Sequence, residues 1–169
     1  MGKTLNPDIC GECHKIGDGC CLLKPEFTDY LFGLTPYEVR RIKAETGLDK
    51  AEFTDDNIVS EDFLRALLKT DKNMIKMFPD RRRIHLKIKN GQCVFLTDSG
   101  CQLSAETRPF YCKLYPFWYS EGRLILLKSS FCLAQKDAVS IYRIMRKLGA
   151  EEDELKEIYE NFIKAAREI

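Results

Sequence analysis

Eight cysteines, Cys10, Cys13, Cys20, Cys21, Cys93, Cys101, Cys112 and Cys132, are the residues of this 169-residue chain best suited to chemistry. Cys10 and Cys13 stand at the C-x2-C spacing at which a short turn brings two sulfurs to the same side of one ion. Cys20 and Cys21 follow as an adjacent pair. Adjacent side chains diverge, so the two serve different metals, or one is a ligand while its neighbour packs, pairs or supports. Two four-thiolate zinc sites would consume all eight cysteines, whereas one four-iron cluster needs four and leaves thiols for chemistry. A single buried cysteine is most simply a small apolar core residue, a reading that weakens for eight together.

Other cysteine chemistries fit less well. No strand precedes Cys10-x2-Cys13 and no helix clearly follows it, which disfavours a thioredoxin-like role. The radical-SAM spacing of x3 then x2 is absent, and with only His14 and His85 there is no C-x2-C with H-x3-H finger. His14 could replace a thiolate, but eight cysteines leave no vacancy that requires it. Arg108, four residues before Cys112, could neutralise thiolate charge and donate to sulfur. Lys15, Lys24 and Lys113 could contribute in the same way, although each alone reads as solvated.

The elements that must position these thiols follow from composition and pattern. With 44% apolar residues and 27 basic against 26 acidic side chains, the expectation is one folded domain over residues 1–169. That balance argues against a surface built wholly for nucleic acid or anionic lipid. No apolar run reaches bilayer length, and the first residues lack the apolar core of a signal peptide, so cytoplasmic residence is expected. In that reducing compartment thiols persist or bind metal.

Residues 1–30 carry four cysteines with no sustained period and read as an irregular, ligand-bearing arm. Thr35-Pro36-Tyr37-Glu38 is a capping box that starts a helix, with Val39 and Ile42 on one face and Gly47 as its stop. Ser60 starts another, striped by Phe63, Leu64, Leu67 and Leu68. Ile84, Leu86 and Ile88 alternate with His85, Lys87 and Lys89, predicting a half-buried strand with His85 outward. Asn90-Gly91 then predicts a hairpin pairing Lys89 with Gln92 and Ile88 with Cys93, which turns Cys93 and Phe95 inward. Phe117–Tyr119 and Arg123–Lys128 predict a second hairpin flanked by Cys112 and Cys132. Ala138, Ile141, Tyr142, Met145 and Leu148 form one helical stripe, and Leu155, Ile158, Tyr159, Phe162, Ile163 and Ala166 form the last. The fold class expected is α+β: a small antiparallel sheet of hairpins packed with helices, a cysteine-rich metal-binding arm, and a C-terminal helical pair over 134–168. No cysteine falls on a predicted helical stripe.

The run Cys10-Gly-Glu-Cys13 to Cys20-Cys21, with Cys93-Val-Phe-Leu, Cys101-Gln-Leu, Arg108-Pro109-x-x-Cys112 and Tyr115-Pro116-Phe117, resembles the YkgJ-like family. The resemblance spans residues 10–132. That family is a zinc- or iron-chelating domain with a CxxCxxCC signature, so the resemblance implies that all eight cysteines hold Zn2+ or an iron-sulfur cluster. The flagellin lysine methylases have a similar cysteine set, which implies as an alternative an iron-sulfur-dependent enzyme in redox or methyl-transfer chemistry on protein lysine. Against a complete methylase stand the chain's length and the lack of a glycine-rich strand-to-helix fingerprint.

Lys72, Lys76, Arg81, Arg82, Arg83, Lys87 and Lys89 form the one basic concentration. Without interleaved aromatics it reads as the wet face of a sheet rather than a nucleic-acid site. A protein partner is left open. Phe110, Tyr111, Tyr115, Phe117, Trp118 and Tyr119 crowd in sequence around Cys112, where they would pack and shield a metal site from water.

Overall fold

The computed structural model describes residues 12–13, 15, 19–22, 33–130, 132–137 and 140–168. Thr35 accepts from the Glu38 amide while Glu38 accepts from the Thr35 amide, closing the predicted capping box at the start of α1 (Pro36–Thr46). Gly47, at φ 71°, ends that helix in the left-handed conformation and returns its amide to the Lys43 carbonyl. A short helix, α2 (Lys50–Phe53), leads directly into β1 (Thr54–Ile58). Ser60 then caps α3 (Glu61–Thr70) by accepting from the Phe63 amide. Two 3-10 turns, Lys72–Met77 and Pro79–Arg81, connect it to β2 (Arg82–Leu86).

The alternation of residues 84–89 misleads about which side is covered. β2 pairs antiparallel with β1, Thr54 opposite Leu86 and Ile58 opposite Arg82. Arg83 and His85 are buried while Ile84 and Leu86 are half-buried, so His85 does not point outward. Both edges of β2 are closed, by β1 and by Gly33-Leu34, whose Leu34 amide donates to the Ile84 carbonyl at 2.7 Å, and Phe63 covers the face that carries Arg83. Arg83 sits 1% exposed with its guanidinium 5.1 Å from the Phe63 ring centroid and its Nε donating to Asn57 Oδ1. A Cβ on Gly33 would stand 3.3 Å from Phe78 and 3.4 Å from Arg83, so the close passage of that strand favours glycine.

Beyond Lys87 the predicted hairpin forms as expected. β3 (Ile88–Lys89) pairs with β4 (Gln92–Cys93) in the register Ile88 opposite Cys93 and Lys89 opposite Gln92. Asn90 and Gly91 take the two positive φ values that such a turn requires. Cys93 and Phe95 are buried. β5 (Leu96–Thr97) and β6 (Gly100–Cys101) make a further small hairpin, with Leu96 opposite Cys101. After α4 (Phe110–Leu114), the second predicted hairpin joins β7 (Phe117–Ser120) to β8 (Arg123–Leu126). Ser140 caps α5 (Ile141–Leu148), and α6 (Glu152–Ala166) closes the fold. The architecture is α+β, with four two-stranded antiparallel sheets among the described residues rather than one continuous sheet.

Two apolar clusters hold these elements. The larger gathers Leu67, Met74, Phe78 and Leu114 with Phe117, Trp118, Leu148, Leu155 and Phe162. The smaller gathers Ile42, Phe53, Cys93, Phe95 and Leu103, with Cys21 and Leu86 packed against it. The final helical stripe forms as expected, burying Leu155, Phe162 and Ala166. On α5 the buried residues are Ile144, Met145 and Leu148, whereas Tyr142 is 69% exposed; Ala138 lies outside the described residues. The stripe is rotated because Ile144, Met145 and Leu148, three and four apart, enter the larger cluster and turn Tyr142 to solvent.

Candidate metal centre

Helix α1 carries two glutamates, Glu38 and Glu45, seven residues apart and therefore on the same face. Both hold the segment that bears Cys101 and Cys112. Glu45 accepts from the amide and the hydroxyl of Ser104, at 2.8 and 2.5 Å. Glu38 accepts from the Phe110 amide at 2.7 Å, at the first turn of α4. Burial pushes the Glu38 carboxyl above its usual value, opposed by its hydrogen bonds with Thr35 and Phe110. Neither long-range contact is legible in the sequence, where Glu38 reads only as the closing residue of its own capping box.

Cys112 lies within α4, a stretch where the sequence predicts no helix. Cys13 too is in a helical residue. The reason is the length of α4: Phe110 and Leu114 bury one face, and Cys112, two residues from each, is turned to the opposite side. The thiol can thus leave the packed stripe although the residue is helical.

The arm reaches the first hairpin through its backbone. Cys93 donates its amide to the Cys21 carbonyl at 2.9 Å, Leu22 bridges to Gln92, and the Leu22 amide bonds to Gly19. This brings Cys21 beside Cys93, and the register of β5 with β6 adds Cys101. Every pair among Cys21, Cys93, Cys101 and Cys112 lies within electrostatic reach, each charge disfavouring the others. Burial pushes the Cys93 thiol up to about 12, raises Cys101, and raises Cys112 well above the ordinary thiol value. Cys21 goes the other way, to about 7, through a hydrogen bond with Cys20 opposed by burial and assisted by Arg108. The Arg108 guanidinium also favours the thiolates of Cys101 and Cys112.

Cys13 and Cys132 are also neighbours. The Leu133 amide donates to Cys13 Sγ at 3.4 Å, and Cys13 and Cys132 are within electrostatic reach of each other. Tyr115 borders Cys132, Cys20 and Cys13. Gln135 braces this corner, donating to the Leu127 carbonyl and accepting from the Ser129 amide. Cys10, His14 and Lys24 lie outside the described residues. Among the described residues no three or more His, Cys, Asp or Glu side chains stand close enough to hold a metal ion as they are placed. Cys13, Cys20, Cys21, Cys93, Cys101, Cys112 and Cys132 carry thiols rather than disulfides.

The other charged candidates divide. Lys15 pairs with Glu12 at 2.8 Å on an exposed surface. Lys113 donates to the Glu106 carbonyl and lies 5.6 Å from the Phe110 ring centroid. In the basic stretch, Arg81 donates to the Val59 carbonyl, Arg82 pairs with Asp56, and Lys87 donates to the Ala51 carbonyl. Those side chains brace β1 and β2. Of the aromatic run, Phe110, Phe117, Trp118 and Tyr119 belong to the larger core, while Tyr111 and Tyr115 border cysteines. Among the described residues no helix is long and apolar enough to cross a membrane. No protein-family model matches this chain, and neither a curated protein nor a solved structure matches it.

Proposed function

We propose that this chain is a metal-binding protein whose clustered cysteine thiolates hold zinc or an iron-sulfur cluster. The observation that carries the reading is the convergence of Cys21, Cys93, Cys101 and Cys112. They come from the arm, two hairpins and a helix, and every pair is within electrostatic reach beside the Arg108 guanidinium. As thiols these groups are uncharged; ionised as ligands they would repel one another, a cost that a bound metal would offset and that Arg108 would lower for Cys21, Cys101 and Cys112. The donor set fits a soft or borderline metal, since four thiolates around one ion or cluster carry negative charge that Arg108 would offset.

In this reading Cys21, Cys93, Cys101 and Cys112 form one set, and Cys10, Cys13, Cys20 and Cys132 supply the other ligands. The split assigns Cys20 and Cys21 to different sets, although the expected divergence of these neighbours is not seen in the structure, where their thiols hydrogen-bond to each other. The resemblance to the YkgJ-like family supports the same reading. Zinc would supply folding free energy to the arm, and a cluster would supply one-electron chemistry.

Anaerobic purification followed by elemental analysis and an optical spectrum tests the proposal. Zinc in a colourless preparation supports the structural form, and iron with acid-labile sulfide and a brown charge-transfer band supports the cluster. A carefully handled protein that is folded and metal-free, and takes up neither metal on reconstitution, overturns it.

A further inference from the structure

The ladder of β1 and β2 has one covered outer edge and one open one. The Phe53 carbonyl accepts from the Lys87 amide at 2.8 Å, and the Val59 amide donates to the Arg81 carbonyl at 2.9 Å. With Asp55 opposite His85 and Asn57 opposite Arg83, the alternation of an antiparallel pair commits the odd-numbered residues of β1 to β2. The main-chain groups of Thr54, Asp56 and Ile58 therefore point away from β2. The same alternation sends the Ile84 carbonyl outward on β2, where the Leu34 amide takes it. Among the described residues no strand does the same for the outer edge of β1. The Thr54 amide turns back to the Lys50 carbonyl, so the open row runs from the Thr54 carbonyl through the amides and carbonyls of Asp56 and Ile58. Phe53 and Val59, fully buried, anchor the row at either end. Lysine and proline, which commonly guard an exposed edge, are absent from Thr54–Ile58, and Ile58 is 59% exposed.

The ladder joins an acidic strand to a basic one. Asp55 pairs with Lys87 at 3.7 Å on one face, and Asp56 pairs with Arg82 on the other. Both aspartate side chains are still half exposed. We propose that the outer edge of β1 captures an extended basic segment of a partner protein as a third strand, on the side away from β2. Its main chain meets Thr54, Asp56 and Ile58, and two successive cations, one on each face, meet Asp55 and Asp56 as Lys87 and Arg82 do from the other side. A second copy of this chain is a poorer occupant. Two β1 strands paired antiparallel about Asp55 or Asp56 set an aspartate against its own copy, and like charges directly opposite are unfavourable. The basic β2 of a second copy has its outer edge taken by Gly33-Leu34.

None of these edge residues is a cysteine, so the edge and the metal centre stand or fall separately. The probe is a synthetic peptide with the sequence of residues 82–89, Arg-Arg-Ile-His-Leu-Lys-Ile-Lys, blocked at both ends. The control peptide carries Glu at every Arg and Lys. Each is added to 15N-labelled full-length protein, and amide hydrogen exchange is followed residue by residue. With the basic peptide, exchange at Asp56 and Ile58 is expected to slow about tenfold, while Asp55 and Asn57, already committed to β2, do not change. Ile58→Pro removes an outward donor that β2 does not use and should weaken binding several-fold. The double variant Asp55→Asn, Asp56→Asn should weaken it to a similar degree and abolish its sensitivity to salt. Circular dichroism establishes folding, and should Ile58→Pro fail to fold, the double variant decides. Unchanged exchange at Asp56 and Ile58, equal binding of the control peptide, or full affinity in the folded variants overturns the proposal. Slow exchange of those two amides in the free monomer, or their protection by self-association as protein concentration rises, overturns it as well, because the edge is then already paired. A metal-free protein that binds the basic peptide in this pattern loses only the metal reading, and a metal-loaded protein that does not bind it loses only the strand capture.

Discussion

The amide of Phe110 donates to Oε1 of Glu38 at 2.7 Å, so a buried carboxylate on α1 ties down the first turn of the helix that bears Cys112. Its other oxygen accepts from the amide and hydroxyl of Thr35. One side chain therefore closes two helix starts. Replacing it with Gln leaves one oxygen for two clients and turns an amide hydrogen toward an amide donor. Glu38→Gln is expected to lower stability by about 1–3 kcal/mol, the cost of leaving a buried polar group unsatisfied, read as a lower urea midpoint.

The same carboxyl makes a pH-dependent contribution. Burial raises its folded-state pKa above the unfolded value. Its contribution is therefore fully present below the unfolded pKa and lost as pH rises through the folded one. The stability gap between wild type and Glu38→Gln should be wider at pH 4 than at pH 8, because Gln does not titrate. A gap that is constant or widens toward alkaline pH would show that the carboxyl is not held above its ordinary range.

Metal uptake should release protons. Cys93, pushed up to about 12 by burial, and Cys112, raised well above the thiol range, are protonated at neutral pH, and a thiolate ligand must give that proton up. Zinc titrated into weakly buffered metal-free protein with an indicator dye should acidify the solution, and affinity should fall as pH is lowered. Affinity that is flat between pH 6 and pH 8 would argue against thiolate ligation.

Arg108 favours the charged forms of Cys21, Cys101 and Cys112. Removing it in Arg108→Gln should weaken metal binding at neutral pH by about 10–100-fold, the usual cost of losing a group that supports metal ligands. Raising the pH should restore part of the loss. Competition against a chromophoric chelator measures both effects, and equal affinities would remove Arg108 from the site.

Alkylation of the metal-free protein should follow exposure. Cys20 is exposed and Cys93 is buried opposite Ile88. Iodoacetamide should therefore mark Cys20 early and Cys93 only on unfolding, and early labelling of Cys93 would contradict the β3 and β4 register. Cys112→Ser and Cys10→Ser should each lose metal and leave the arm sensitive to protease, since lost coordination is lost folding free energy.

What could be read from residue order was local. The capping box at Thr35 to Glu38, the Ser60 and Gly47 signals, the Asn90-Gly91 register, the 117–126 hairpin and the α6 stripe depend on backbone preferences and periods within a few residues, and all are present. The expected direction of His85 failed because an alternating strand shows which residues share a face but not whether a second layer covers the other. The same limit applied to Cys112, whose side of a five-residue helix depends on what Phe110 and Leu114 pack against.

Residue order also displayed eight thiols and left their grouping open. That Cys21, Cys93, Cys101 and Cys112 neighbour one another, and that Cys13 neighbours Cys132, depends on contacts between distant segments: the Cys93 amide on Cys21, the Leu133 amide on Cys13, and the two glutamates of α1 holding residues 104 and 110. Such contacts exist only after the chain has closed on itself, because their free energy comes from burial and hydrogen bonds between segments far apart in sequence, which no local preference encodes.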